Sequence, residues 1–503
     1  MVLPSTTNVF ARVADEVNFA LEKHFRLCAA LLVMLLLVCA VVRGLRDKMW
    51  IDELYTLHMS RQASPGEIVK ATLEGCDGAP PLYAMVVHSI LPLVRHEALA
   101  VRLPSSLGFC GMVFCLLAFC RRRLPALYSL VAVLLACNAC LEYSTEGRCY
   151  GLILCCAAGA LLCWQAAADG RRRIVAIPLL AFCLTSMTAL HYYSIFFLVP
   201  LFLAEMTRWW KSGKLDVAVL AAMAPALIVL GLHYPFIAAG RQQFQEHYWA
   251  RASWGDMPAM YVYVMTFAPL GLLAVCFSRM PRRRTASEAG LTPPEWVASG
   301  ALLLMPFCIL VLSINITHVF VERYVLWAVT GIAVLVAAVL FVAARGRNAV
   351  GMSALGLLLA VLAIRESYSL FERPDLIQGE AVFQKLAALP DASEPIVVAD
   401  HHVFMELSYY AALPLRERLI YPVNRDLDLR YFGFDTGALL MSALSHRSKL
   451  HIVAYDAVLA AHRRFVLAAI QKDYLPGHLV TAGYRVVPIG SSMPPLLYEV
   501  EAP

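Results

Sequence analysis

Apolar runs of about twenty residues, nearly free of charge, recur along the chain as far as Ile364, and then the pattern changes. A helix with no polar face cannot lie on the surface of a soluble protein, and runs of this length match the thickness of a bilayer. Eleven spans are predicted, at about 26–44, 101–120, 124–142, 149–168, 174–191, 194–209, 216–235, 259–279, 296–314, 323–343 and 349–367. A shorter run, 81–94, is too short to cross and is expected to lie as an interfacial or re-entrant helix on the outer face. Beyond about residue 367 polar and apolar positions mix. Residues 395–400 read as a short buried strand, 402–412 as a helix and 451–455 as another strand, with 479–487 and 496–501 as a closing hairpin. Strands alternating with helices predict a small α/β domain. The expected architecture is a polytopic α-helical membrane domain over 1–370, with a long outer loop at about 45–100, followed by a soluble α/β domain over 371–503.

Charge orients these spans. Short loops rich in Lys and Arg stay on the cytoplasmic side. Five basic clusters fall on alternate loops: Arg121 to Arg123, Arg171 to Arg173, Arg208 with Lys211 and Lys214, Arg282 to Arg284, and Arg345 with Arg347. All five can be cytoplasmic together, which puts the N-terminus inside and the C-terminal domain outside. Counting 81–94 as a span would reverse this agreement. The first apolar run, from Leu27, has no small-residue cleavage site after it and reads as an uncleaved span.

Composition supports the same class. The chain is 60% hydrophobic and 16% charged, against about 25% charged in soluble proteins. Its net charge of +6 comes from the loop clusters, with no basic stripe interleaved with aromatics, so no nucleic-acid partner is expected. The fifteen cysteines all precede residue 309 and sit mostly inside apolar runs, where they act as small apolar residues. Cys137 and Cys140 have C-x-x-C spacing but lie within such a run, and His401-His402 are read as strand neighbours facing opposite ways. Neither pair is assigned a metal.

The polar residues beside the spans gather on the outer side. Asp52 and Glu53 stand in the first outer loop; Glu146, Arg148 and Tyr150 lie in the next. Arg102 opens the second span, His191 and Tyr192 close the fifth, and His318, Glu322 and Arg323 open the tenth. Charge at membrane depth is costly, so such groups usually line a polar cavity with work to do. Glycosyl transfer needs a base for the acceptor hydroxyl and, with a lipid phosphate as leaving group, cations to take up its charge. A carboxylate with arginines and a histidine supplies those parts.

Three stretches in order carry a resemblance: Asp52-Glu53-Leu54-Tyr55, then Ala79-Pro80-Pro81-Leu82-Tyr83, then Ala100-Val101-Arg102-Leu103-Pro104-Ser105. They are similar to the first outer loop of GT-C glycosyltransferases, in the branch with protein O-mannosyltransferases, lipid A aminoarabinose transferase and Rgt-type galacturonosyltransferases. Residues 146–150 resemble that branch's second outer-loop motif, and His191-Tyr192-Tyr193 and Glu322-Arg323-Tyr324 match by position. The likeness covers about residues 26–345. It implies a polyprenyl-phosphate-sugar donor, an inverting transfer outside the cytoplasmic membrane, and a glycolipid, glycan or protein acceptor. It makes Asp52 the leading catalytic acid or base, with Glu53 and Glu146 beside it. It gives donor-phosphate or substrate roles to Asp77, Tyr83, Arg102, Arg148, Tyr150, His191, Tyr192, Glu322 and Arg323. A basic residue that some members carry before the Pro-Pro pair is missing here, where Asp77-Gly78-Ala79 stand. Metal use varies in the family; a divalent Mg, Mn or Zn ion would fall to Asp52 and Glu146.

Rival readings predict other patterns. A transporter or lipid-linked sugar flippase would show internal repeats and helices broken at the midplane, whereas Pro178, Pro200 and Pro225 sit mostly near the ends of their runs. A surface-polysaccharide polymerase or ligase would lack the Asp-Glu then Pro-Pro-Leu-Tyr order. A scaffold would have no reason to gather acids and arginines on one side.

Overall fold

The structure, a computed structural model, describes residues 6–244, 247–258, 261, 290–371, 380–389, 394–490 and 496–503. The chain divides into two compact units: residues 1–45, 102–234 and 250–371 form one, and 46–101, 235–249 and 372–503 the other. Each is described by itself.

The first unit is a bundle of apolar helices. Those long and apolar enough to cross a membrane include Val9–Arg46, Glu97–Cys120, Ala126–Ser144, Tyr150–Ala168, Arg173–Leu190, Pro293–Thr317 and Asn348–Ser369. The pair Val217–Leu232 and Tyr234–Gln243 makes a further span if its 44° bend is crossed as one. The expected span at 323–343 is the shorter apolar helix Ala328–Ala343, and that at 194–209 is a 3-10 turn, Tyr192–Phe197, running into the helix Leu198–Ser212. The expected span at 259–279 and the cluster at 282–284 lie outside the described residues. This is a multi-pass membrane protein. The first helix starts well before its apolar run, at Thr6, and kinks at His24. Its Glu22 takes the amide of Ala126, 2.7 Å away, and the guanidinium of Arg121, so a polar prefix serves as the N-terminal cap of another helix.

Ionic pairs draw the basic loops to one end of the bundle. Arg123 binds Asp169 at 2.6 Å and the buried Glu295 at 2.8 Å. Arg173 binds Asp216 at 2.8 Å, and Arg208 binds Glu205 at 2.8 Å. The Tyr128 hydroxyl donates to the Arg347 carbonyl at 2.7 Å. Four of the five predicted clusters thus share one end. The turn with Glu146 and Arg148, His191 and Arg323 stand at the other end of the same helices.

Helix crossing sets that far end. A Cβ on Gly151 would sit 2.1 Å from the Ser105 carbonyl oxygen, and one on Gly108 would sit 2.5 Å from the Gly151 backbone. Only glycine permits so close an approach. Ser105 and Ser106 then donate to the carbonyls of Tyr143 (3.0 Å) and Ser144 (2.7 Å), and the Gly151 amide donates to the Ser105 hydroxyl (3.2 Å). These bonds fix both flanks of the turn that carries Glu146 and Arg148. Among the described residues the cysteines are free thiols, Cys137 and Cys140 both buried within one helix.

In the second unit the loop at about 46–101 packs with the C-terminal residues. The loop forms Ile51–Ser60, Pro65–Leu73 and Leu82–Ile90. The last of these, nine residues long, is the expected short helix and is not a span. Ser64 caps the second helix through its hydroxyl, with Pro65 at the first helical position. Arg447 joins Glu67 at 2.6 Å and Glu74 at 2.6 Å; Glu97 takes Arg61 and the Tyr409 hydroxyl; the Tyr410 hydroxyl accepts the Met49 amide at 2.6 Å.

The C-terminal sheet has six strands, β1 (Ile396–Val398), β2 (Leu419–Val423), β3 (Ile452–Ala454), β4 (Arg464–Ala468), β5 (Arg485–Pro488) and β6 (Leu497–Glu501), in the order β3-β2-β1-β4-β6-β5. The first four run parallel, and β6 pairs antiparallel with β4 and β5. β1, β3 and the closing hairpin match expectation, except that 475–481 is helical and the hairpin starts at Arg485. β2 and β4 were not expected. Pro422 hides β2, since proline inside an apolar run argues against a central strand. It is tolerated because β1 pairs with β2 only at Leu419 and Ile420.

Gly151→Val is expected to lower the thermal unfolding midpoint of the detergent-purified protein markedly, since overpacking costs about 1–3 kcal/mol or more and here the clash is with backbone. An unchanged midpoint would mean the helices do not meet at this glycine.

Candidate functional site

The sequence-selected residues fall into two sets, one in each unit. The larger lies at the far end of the helical bundle. His191 ends the helix Arg173–Leu190 just beyond the apolar span, and Tyr193 follows it in the 3-10 turn. Aromatic rings enclose the imidazole: Tyr324 at 4.7 Å between centroids, Tyr193 at 5.9 Å and Tyr150 at 6.3 Å. Tyr143 packs edge-on against Tyr150 at 5.3 Å. The Arg323 guanidinium stands over the Tyr150 ring, 5.9 Å from its centroid. The Tyr193 hydroxyl reaches the Thr317 hydroxyl at 2.6 Å and the Val319 carbonyl at 2.7 Å, anchoring the turn before Glu322. That turn bends through His318, a non-glycine residue at φ 57°.

Electrostatics at His191 follow from this packing. The imidazole is buried, and its Nδ1 meets no hydrogen-bond partner among the described residues. Burial, then the nearby Arg148 and Arg323, push its pKa down to about 3. The ring is therefore neutral at physiological pH, and the positive charge of the site comes from the guanidiniums.

Around His191 the fold collects Glu146, Arg148, Tyr150 and Arg323. Glu146 and Arg148 share one tight turn, the Arg148 amide donating to the Glu146 carbonyl at 2.8 Å. Tyr192 points elsewhere, edge-on to His233 at 5.7 Å. Glu322 opens the next 3-10 turn and is half-buried. Arg102 is buried, and its guanidinium donates to the Gly44 carbonyl at 3.0 Å, tying the second span to the first.

In the other unit Asp52 lies in the first turn of Ile51–Ser60, half-buried, where a carboxylate is favoured by the helix dipole. Glu53 is buried and accepts the Trp50 amide at 3.2 Å, so its visible task is to cap this helix. Asp77 folds back on its own turn, accepting the Ala79 amide at 3.0 Å. Tyr83 is buried and donates to the Val101 carbonyl at 2.8 Å. Tyr55 is buried one turn after Asp52. Burial, then the charges of Asp52, Asp77 and Asp400, push its pKa well up.

Asp52 and Glu146, the pair suggested for a divalent ion, belong to different units. His401 and His402 stand in the first turn of the helix His401–Tyr410, not in a strand, and their rings lie 4.1 Å apart, so the expectation that they diverge fails. With Asp400 their ligand atoms fall within 4.8 Å of one another. Asp400, however, is committed to protein: one oxygen caps the helix through the His402 and Val403 amides at 2.8 and 3.1 Å, and the other faces the Lys472 ammonium at 3.3 Å. An ammonium at that distance opposes a cation.

No family model and no curated protein matches the sequence. Solved structures do. The chain is similar to ArnT from Cupriavidus metallidurans in the apo state, with TM-score 0.57 and 13% identity over 95% of this chain and 98% of that one. It is similar also to the same organism's ArnT bound to undecaprenyl phosphate, with TM-score 0.56 and 14% identity over 94% and 97%. At this identity the likeness speaks for the fold: a GT-C-type helical membrane protein, as the resemblance implied, with a small C-terminal sheet region, as the strand pattern implied.

The buried imidazole gives a pH signature. Its folded pKa lies below the unfolded value near 6.5, so the unfolded state binds the extra proton and stability falls as pH drops from about 6.5 toward 3. In detergent, His191→Asn is expected to flatten the fall of the unfolding midpoint between about pH 6 and pH 4. An identical pH profile in both proteins would mean His191 is solvated.

Proposed function

We propose that this chain is an inverting glycosyltransferase of the GT-C type. It takes a sugar from a polyprenyl-phosphate donor and transfers it to a glycolipid, polysaccharide or protein acceptor. The reaction occurs on the outer face of the cytoplasmic membrane, with the N-terminus inside and the 371–503 region outside. The observation that carries this reading is the shared fold with an ArnT holding undecaprenyl phosphate, over 94% of this chain and 97% of that one. The ordered first-loop residues Asp52, Pro80-Pro81 and Arg102 add to it.

In this reading the Asp52 carboxylate takes the proton of the acceptor hydroxyl. The acceptor oxygen bonds to the anomeric carbon as the bond from that carbon to the phosphate oxygen breaks. The electron pair leaves with polyprenyl phosphate, and Arg102, Arg148 and Arg323 are assigned to its charge. Neutral His191 and Tyr150 are assigned to the sugar and its linkage, with Tyr192 and Glu322 at the margin. Glu53, Asp77 and Tyr83 are given the task of shaping the loop that presents Asp52, and Glu146 that of positioning Arg148.

The test uses the purified full-length protein with a panel of polyprenyl-phosphate sugars and acceptor-containing membrane extract. Release of free polyprenyl phosphate is the readout. Asp52→Asn is expected to lower turnover at least about a hundredfold at unchanged folding, the scale of a lost general base. Turnover unaffected by the substitution would remove Asp52 from catalysis, and no turnover of any donor would remove the enzyme reading. Loss in EDTA, restored by Mg, Mn or Zn, would assign a divalent ion to the reaction.

A further inference from the structure

The basic end of the helical unit is only partly neutralised. Two of its turns carry three arginines each: Arg121 to Arg123 follow the helix Glu97–Cys120, and Arg171 to Arg173 lead into the helix Arg173–Leu190. These turns stand side by side. Arg123 of the first reaches Asp169, just before the second, at 2.6 Å, and Gln165, one turn earlier, donates to the Phe119 carbonyl at 3.3 Å. The nearby acids are already paired. Glu22 takes Arg121, Asp169 and Glu295 take Arg123, and Asp216 takes Arg173. The side chains of Arg122, Arg171 and Arg172 form no ion pair among the described residues.

Arg122 feels this most. It is half-buried, and its Nη1 is shut off from solvent with no hydrogen-bond partner among the described residues. Burial pulls its pKa below the ordinary arginine value; Asp169 opposes that pull, and the like charges of Arg171 and Arg123 add to it. Arg171, on the other turn, is therefore close enough to repel it. A guanidinium partly out of water and beside like charges is costly unless an anion comes to it. Nη1 is closed to a ligand, so the anion meets the open part of Arg122 together with Arg171 and Arg172, both exposed. Arg172 stands at φ 46°, a backbone conformation uncommon for a residue with a Cβ.

Place and chemistry name the anion. The three charges lie at the ends of helices long and apolar enough to cross a membrane, where a bilayer presents its phosphodiester headgroups. Beyond Arg171 and Arg172, the exposed Val175, Leu179 and Phe182 are spaced to share one face of the helix Arg173–Leu190. A phosphate on the arginines leaves an acyl chain against that apolar stripe. Basic pockets between spanning helices suit lipid headgroups for this reason. Arg148 and Arg323, assigned above to the donor phosphate, stand at the opposite end of the helices, so the two anion sites are separate.

We propose that Arg122, Arg171 and Arg172 hold the phosphate of an anionic phospholipid, with an acyl chain along Val175, Leu179 and Phe182. The proposal needs the membrane fold and not the glycosyltransferase reading.

The experiment is native mass spectrometry of the full-length protein in detergent, titrated with dioleoyl phosphatidylglycerol. Dioleoyl phosphatidylcholine is the zwitterionic control and inorganic phosphate the free anion. One phosphatidylglycerol is expected to bind about tenfold more tightly than phosphatidylcholine, the scale of one charge-assisted hydrogen bond or more. It is also expected to raise the thermal unfolding midpoint at a concentration where inorganic phosphate does not. The double variant Arg171→Gln with Arg172→Gln is expected to weaken phosphatidylglycerol binding about tenfold or more. Arg122→Gln should do the same, and the double variant carries the test if Arg122→Gln misfolds. Lys211→Gln, which removes an exposed charge in the last turn of the helix Leu198–Ser212 at the same end, is expected to leave binding unchanged. Equal binding of the two lipids, or an equal loss with Lys211→Gln, would mean diffuse surface charge. A midpoint raised as far by inorganic phosphate would mean a free anion, and unchanged binding in the folded arginine variants would put the lipid elsewhere. Each of these results overturns the proposal.

Discussion

A bilayer offers no water to solvate a charge or an unpaired backbone group, and this constraint sorts the residues of the helical unit. Its ionisable side chains are driven to the two ends of the helices. At one end they neutralise one another: Arg121 with Glu22, Arg123 with Asp169 and Glu295, Arg173 with Asp216. At the other end stand Arg148, Arg323 and Glu146 around a histidine that burial keeps neutral. The contrast matters for function. Paired charges brace the bundle at the first end; at the second the Arg323 guanidinium also stands over the Tyr150 ring, an arrangement that suits the anionic, partly apolar donor of the proposed function.

The second end depends on backbone as much as on charge. Gly108 and Gly151 let two helices touch, and the serines at 105 and 106 then hold the loop between Tyr143 and Gly151. A loop fixed on both flanks can present Glu146 and Arg148 without relying on either side chain for its shape. Tyr193 does the same for the turn leading to Glu322, through Thr317 and Val319. In each case a small polar group beside a close crossing holds a loop that carries the larger ionisable ones.

Much of this was legible in the sequence, because the bilayer imposes a period and a charge rule that single residues reveal. The long apolar helices, the common end of four of the five basic clusters, and the gathering of polar groups such as Arg148, His191 and Arg323 at the opposite end follow the sequence pattern. Other features were hidden for identifiable reasons. Pro422 masks β2, since its tolerance depends on how far β1 extends. β4, at Arg464–Ala468, is only five residues long and was not read as a strand. Glu53, read from the sequence as an acid supporting Asp52, also accepts the Trp50 amide three residues before it, a capping bond that the sequence reading did not assign. His401 and His402 were misread by assuming a strand, where a helix N-terminus turns both rings to one side. The grouping of residues 46–101 with the C-terminal region could not be read at all, because it rests on contacts such as Arg447 with Glu67, nearly four hundred positions apart.

That last grouping changes how the loop at 46–101 should be understood. Three short helices of nine or ten residues would be marginal on their own. Here they are held by Arg447 on Glu67 and Glu74, by Tyr409 on Glu97 and by Tyr410 on the Met49 amide. These bonds lie along the loop from its first residues to its last, and the helix bearing Asp52 lies between the outer two. The C-terminal residues are therefore not an appendage to a finished site; they supply much of the tertiary packing that keeps the Asp52 helix folded. In the role proposed for Asp52, meeting an acceptor hydroxyl within a fraction of an ångström, such support matters, since a loop free to fray would spend its time out of register.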